Sequence, residues 1–199
     1  MVNKKINNNG FDYVDLGLRS GTLWATCNVG ATKPTEYGLY FQWGDTVGYA
    51  YDQIGKEKQF GWSDYNCRWK DIFKHATNNT ILKLEFDAAH INMGGSWHMP
   101  TFKQIKELTT NTISNWTTQD GVNGRLFTSK KDDSKSIFIP AAGGTWGGSV
   151  LDSGNNGFVW SSMLNMDDAD YGQDFRFNSY DARLSSHLRF VGFSVRGVI

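Results

Sequence analysis

Residues able to make strong directional contacts crowd into one late stretch of the chain. Asp167, Asp168, Asp170 and Asp174 place four carboxylates in a short span, a set that could ligate a hard cation such as calcium through oxygen. The run lacks the glycine and terminal glutamate of an EF-hand loop, so a solvated acidic loop is the better reading. Tyr171, Arg176, Tyr180, Arg183 and His187 interleave with these acids and supply flat contact area, bidentate donors and an imidazole. Covalent catalysis has fewer carriers. His75, His90, His98 and His187 form no HExxH or HxxxH pattern, and no GxSxG occurs. Cys27 and Cys67 stand in no CxxC motif; a disulfide between them is open, and two separate buried thiols are the better reading. No cofactor is expected.

The same region is depleted in flexible charge. All 13 lysines precede Ser136, where an even spread would leave about four beyond it, and no glutamate follows it either. Recognition surfaces lose Lys and Glu and favour aromatics and Arg, because long hydrated side chains lose more entropy on contact. The C-terminal third therefore reads as a binding face.

Elements must hold that face in place. At 199 residues the chain fits one domain, read as a flexible lead over 1–10 and a single domain over 11–199. Aromatics reach 15%, and 22 glycines accompany only 3 prolines, which suggests short strands joined by tight turns. Phe11–Leu18 alternates apolar and polar residues and turns at Ser20-Gly21 into Thr22–Cys27. Thr35–Trp43 fits a short helix or an aromatic-rich loop, and Gly48–Thr80 reads as a long loop. Glu85–Asn92 predicts a short helix stopped by Gly94-Gly95. A capping box, Thr101 with Gln104, opens a helix whose Phe102, Ile105 and Leu108 share one face. Strands are expected at Arg125–Ser129, Ser136–Pro140, Phe158–Ser161, Asp174–Asn178 and Gly192–Val198. The pattern predicts an α+β fold. In Asp174–Asn178, Phe175 and Phe177 turn inward, leaving Asp174, Arg176 and Asn178 outward. Trp160, Phe193 and Val195 join Phe175 and Phe177 in the expected core.

Tyr13–Leu18 (YVDLGL), Ser20–Ala31 (SGTLWATCNVGA), Tyr37-Gly38, Trp43-Gly44, Asp87–Ala89, Gly94-Gly95, Trp97–Thr101 (WHMPT), Ile139–Gly143 (IPAAG), Trp160–Ser162 and Gly192–Arg196 (GFSVR) follow one another in a recognisable order. Together they resemble the Fibrobacter/Bacteroides major paralogous domain family. That resemblance implies a C-type lectin-like fold of the formylglycine-generating-enzyme branch, with short antiparallel strands, about two helices and long loops. The frame also resembles the variable proteins of diversity-generating retroelements. In those systems an adenine-directed reverse transcriptase rewrites Asn codons near the gene's 3′ end. Such codons can yield Asp, Tyr, His, Ser, Gly, Arg, Leu, Val, Phe, Ile, Thr, Ala, Pro or Cys but never Lys, Glu, Gln, Met or Trp. The products between Ser162 and Gly192 match that set at Asp167, Asp168, Asp170, Tyr171, Arg176, Tyr180, Asp181, Ala182, Arg183, Leu184, His187, Leu188, Phe190 and Val191. Met163, Met166 and Gln173 fall outside it and read as fixed framework or as products of other template codons.

These resemblances imply a non-catalytic, receptor- or adhesin-type binding protein with its variable region over 144–191. Expected contact residues are Trp146, Phe158, Asn165, Asp167, Asp168, Tyr171, Arg176, Tyr180, Arg183, His187 and Phe190; Trp146 and Phe158 fit a packing role equally well. A formylglycine-generating activity is disfavoured, since its C-terminal cysteine pair is missing and Cys67 is the last cysteine. The Glu-Pro-Asn, Gln-Pro-Asp and Trp-Asn-Asp signatures of calcium-dependent lectins are also missing. A structural surface protein and a calcium-independent glycan-binding module remain as alternatives. Zero net charge gives no cause to expect nucleic acid, and no apolar run is long enough for membrane insertion. The expected partner is a protein or glycan ligand on a cell surface. The expected location is a virion or a bacterial cell surface, with no signal peptide visible in the polar, Asn-rich start.

Overall fold

The computed structural model describes residues 5–67, 76–77 and 80–199. Sixteen strands and two α-helices run through them. This corrects the expected α+β, C-type lectin-like class. The fold is mostly β, with 43% strand and 14% helix, and is sandwich-like. The correction has a physical origin: several polar segments become strands because a neighbour pairs their backbone, whatever their apolar pattern.

Three sheets and a hairpin make up the fold. Strands β1 (Lys5–Asn8), β2 (Phe11–Asp15) and β3 (Leu23–Asn28) lie in order beside the last strand, β16 (Arg196–Val198). The expected N-terminal lead is thus an edge strand from Lys5 onward, and 1–4 lie outside the described residues. Strand β4 (Tyr40–Phe41) occupies the segment read as a short helix or aromatic loop. The presumed long loop holds 3-10 turns at Tyr51–Gln53 and Trp62–Asp64 and strand β5 (Ala76–Thr77), which pairs with β6 (Ile81–Leu82). Positions 68–75 and 78–79 of it, including His75, lie outside the described residues.

Strands β7 (Thr112–Gln119), β8 (Val122–Ser129) and β9 (Ser136–Pro140) form the three-stranded sheet. Strand β7 pairs with β8 along its whole length around the two-residue turn Asp120-Gly121. Both turn residues have positive φ, 47° and 79°, the backbone of the tight hairpin that an Asp-Gly pair favours. Strands β10 (Gly144–Trp146) and β11 (Ser149–Leu151) form a small separate hairpin. In the largest sheet β14 (Ala182–Leu188) is outermost. It is followed inward by β13 (Tyr171–Phe177), β12 (Gly157–Leu164), β15 (Phe193–Ser194) and β4.

Helix α1 (Ala88–Met93) follows a 3-10 turn at Leu84–Phe86. Its cap is Asp87, whose carboxylate accepts from His90 N at 2.9 Å and from Met99 N at 2.8 Å. Helix α2 (Phe102–Asn111) starts at the expected capping box: Thr101 Oγ1 accepts from Gln104 N, and Gln104 Oε1 accepts from Thr101 N. Ile105 and Leu108 of α2 pack with Phe127, Ile139, Val159, Phe175 and Phe177 into one core. A second core gathers Trp43, Trp97, Trp160, Phe158, Phe193 and Val195. Arg196 ties sheets together from within. Fully buried, it donates to Asn28 Oδ1 at 2.9 Å, Ala25 O at 2.9 Å and Phe138 O at 3.0 Å.

Candidate functional site

Strand alternation sorts the side chains of β12, β13 and β14 between two faces. Phe175 and Leu184 are register partners, as are Phe177 and Ala182. These face the core that contains α2. The opposite face carries Phe158, Arg176 and Arg183 as neighbours across three strands, and Trp160, Asp174 and Ser185 as another row. His187 pairs with Gly172 and belongs to this second face.

A pocket of about 160 Å³ opens there. Its floor is Phe158 and Phe193, stacked with centroids 4.7 Å apart. The His187 ring stands edge-on to both, at 5.3 Å and 5.1 Å. The β10–β11 hairpin forms a wall through Trp146 and Leu151, which are 55% and 52% exposed. Gly144 lets that hairpin lie against the floor, since a Cβ there would sit 2.5 Å from the Phe193 ring. On the sheet beside the pocket, the Arg176 guanidinium lies 5.7 Å from the centre of the Phe158 ring.

His187 Nδ1 donates to Asp174 Oδ2 at 2.7 Å. Asp174 is 0% exposed and its Oδ1 has no hydrogen-bond partner. Burial pushes its carboxyl above the ordinary range, while His187 and Arg176 pull it back down. Among the described residues no hydroxyl or thiol hydrogen-bonds His187. The folded state holds the Asp174 proton to higher pH than the unfolded chain does. Stability from this group is therefore greatest at acid pH and declines as pH climbs from about 3.9, the unfolded value, toward the folded value. Asp174→Asn keeps an acceptor for His187 and cannot ionise. Thermal melts across that window should show the variant losing less stability with rising pH than wild type; parallel curves would mean that Asp174 does not titrate there.

The expected contact residues are distributed as follows. Trp146, Arg176, Arg183 and His187 surround the pocket or share its face, with Phe158 as its 8%-exposed floor. Tyr180 is 96% exposed in the β13–β14 turn, where Asn178 Oδ1 accepts from the backbone of Tyr180 and Asp181. Asp167 and Asp168 are exposed in the β12–β13 loop, at the other end of the strands. The carboxylates of this loop and Asp174 do not converge. Among the described residues, no three His, Cys, Asp or Glu side chains come together as metal ligands.

Three placements differ from expectation. Phe190 is 6% exposed, its ring held between Trp62 and Trp146 at 5.1 Å from each, so it packs the interior. Tyr171 shares a strand face with Gln173 and Phe175, away from the pocket. The Asn165 amide donates to Ser186 Oγ at 3.1 Å, and Ser186 pairs with Gln173 on that same face. Sequence reasoning overlooked Leu151, Asp152, Thr145 and Val191 in the pocket wall. The glycine pairs Gly143-Gly144 and Gly147-Gly148, flanking Trp146, were the available signal for a tight hairpin presenting it. Cys27 is partly buried and Cys67 buried, and no disulfide joins the two.

The chain matches no family model, no curated protein and no solved structure.

Proposed function

We propose that this is a non-catalytic ligand-binding protein whose C-terminal region displays a diversified recognition surface, as the variable proteins of diversity-generating retroelements do. The observation that carries the reading is where the residue types that rewritten Asn codons can encode stand relative to solvent. Of the fourteen residues singled out between Ser162 and Gly192, all but Phe190 and Val191 reach solvent at least in part, whereas Leu164, Asp174, Phe175, Phe177 and Arg189, of types the same codons could encode, are buried and belong to the framework. The framework beneath, Trp160, Phe175 and Phe177, is sealed. The surface inventory also suits recognition: Tyr180 gives rigid area and Arg176 and Arg183 give planar donors beside an aromatic pocket. A protein or glycan on a cell surface is the ligand class this reading implies, with the binder itself on a virion or bacterial surface.

The test is the gene and its copies. A near-copy of the 3′ end and a reverse transcriptase gene should lie nearby. Sibling sequences should differ at template adenines and at codons for Arg176, Tyr180, Asp181, Arg183 and His187, with Trp160, Phe175 and Phe177 constant. Variation spread evenly over buried and exposed positions, or no adenine bias, would remove the proposal.

A further inference from the structure

Building on that reading of the face, we infer that the pocket and the arginines beside it take two neighbouring side chains of a protein partner: an aromatic ring in the pocket and a carboxylate against Arg176.

Size selects a single side chain. The cavity is about 160 Å³, whereas sites that enclose a whole small ligand run to about 300–1,000 Å³. A shallow apolar socket with an exposed Trp at its rim is the form an interface anchor fills.

Polarity selects an aromatic ring over a sugar. A sugar ring brings several hydroxyls, and each loses water on entry and needs a partner. The pocket has few to give. Thr145 Oγ1 already accepts from Gly192 N at 2.8 Å, and His187 Nδ1 is committed to Asp174. The side-chain groups left to a ligand are His187 Nε2, the Thr145 hydroxyl hydrogen and the Asp152 carboxylate. Phe158, Phe193, Val191 and Leu151 offer only apolar and aromatic surface, and Trp146 adds a ring with one N–H donor; a ring can stack on these or meet them edge-on.

Charge selects an acid beside the ring. Arg176 and Arg183 are direct register partners on β13 and β14. Like charges so placed oppose strand pairing. Arg183 has relief from Asp181, 3.3 Å away. Arg176 makes no ion pair or side-chain hydrogen bond among the described residues, and the one carboxyl that feels its charge, Asp174, is buried and held by His187. Its Nε is shielded and unpartnered, which leaves the Nη groups as its open donors. A carboxylate there would relieve the repulsion with charge-assisted hydrogen bonds. Asp152 at the pocket wall and Asp181 at the turn carry the opposing charge, so the acid must enter on the Arg176 side of the ring. The placement of Arg176 over Phe158 puts the two subsites within reach of side chains one or two residues apart.

The experiment is an NMR titration of the full chain with N-acetyl-Phe-Asp-amide, N-acetyl-Phe-Asn-amide and sialyllactose, repeated on Arg176→Gln and Trp146→Ala. Thermal melts would first establish that both variants fold; Arg176 has no hydrogen bond to lose. The expected result is that the Phe-Asp peptide shifts resonances of Trp146, Phe158 and His187. Binding should weaken roughly fivefold to tenfold with the Asn peptide or with Arg176→Gln, and less so at high salt. Equal binding of the two peptides, or no shift with either, overturns the inference. Shifts from sialyllactose without shifts from the peptides also overturn it, yet leave the recognition face standing. The face itself falls only on the sequencing result described above.

Discussion

Arg196→Ala should lower stability by about 4 kcal/mol in urea unfolding. The wild-type guanidinium is completely buried and has no carboxylate partner among the described residues. Its charge is held by the Asn28 side-chain oxygen and two backbone carbonyls. Burial pushes its pKa down to about 10, so it stays protonated at neutral pH. Truncation strands three buried acceptors, each costing about 1–3 kcal/mol, and opens a cavity as well. Against a total of about 5–15 kcal/mol for an ordinary domain, that is a large fraction. Arg196→Lys should recover little of it, because one ammonium cannot span acceptors on β3 and β9 as a planar fork does. A loss below about 1 kcal/mol for the alanine variant would mean that water or rearranged backbone replaces the guanidinium.

Gly143→Ala should be nearly as damaging, and its damage should reach the pocket. Gly143 has φ +70°, and a Cβ there would lie 2.2 Å from Leu151 O and 2.6 Å from Ser153 N. The left-handed backbone alone costs an alanine about 1–2 kcal/mol. The clash is with main chain, which has no rotamer to yield, so a loss of about 3 kcal/mol or more is expected. Relief requires the β10–β11 hairpin to move, carrying Trp146 away from Phe190. Near-UV circular dichroism should therefore change along with the melting temperature. Gly147→Ala is the control. It too has positive φ, +57°, but its Cβ would meet nothing within 4 Å. That variant should lose only about 1 kcal/mol. Equal losses at both positions would discount the main-chain clash.

Local patterns announced what they could. The Thr101–Gln104 box announced α2, and the Phe175–Phe177 alternation announced β13 and the outward Arg176. Strand β14 was hidden because Ala182–Leu188 is largely polar; its partner β13 makes it a strand, residue against residue. The same holds for β7, where the Asp120-Gly121 turn was the overlooked cue. The α+β expectation failed through such segments, whose pairing partners are invisible in local periodicity. Tyr171 is a different kind of miss. It lies four residues before Phe175, so the alternation that turned Phe175 inward also fixed its face. Starting the strand at Asp174 concealed that parity. Phe193 was assigned to the core, and it is buried. It is also the pocket floor, because a buried ring can end a core and begin a surface.

Strand β14 is the rim of its sheet. It hydrogen-bonds to β13 on one side and, among the described residues, has no strand on the other. A substitution at the exposed Arg183 thus has a single flanking strand to satisfy, where one in β12 or β13 would have two. Tolerance to replacement is in this sense built into the topology. The charge of Arg183, with the polar Ser185 and His187, also makes this border a poor template for stray chains, so exchangeable chemistry can stand at an open margin without inviting aggregation.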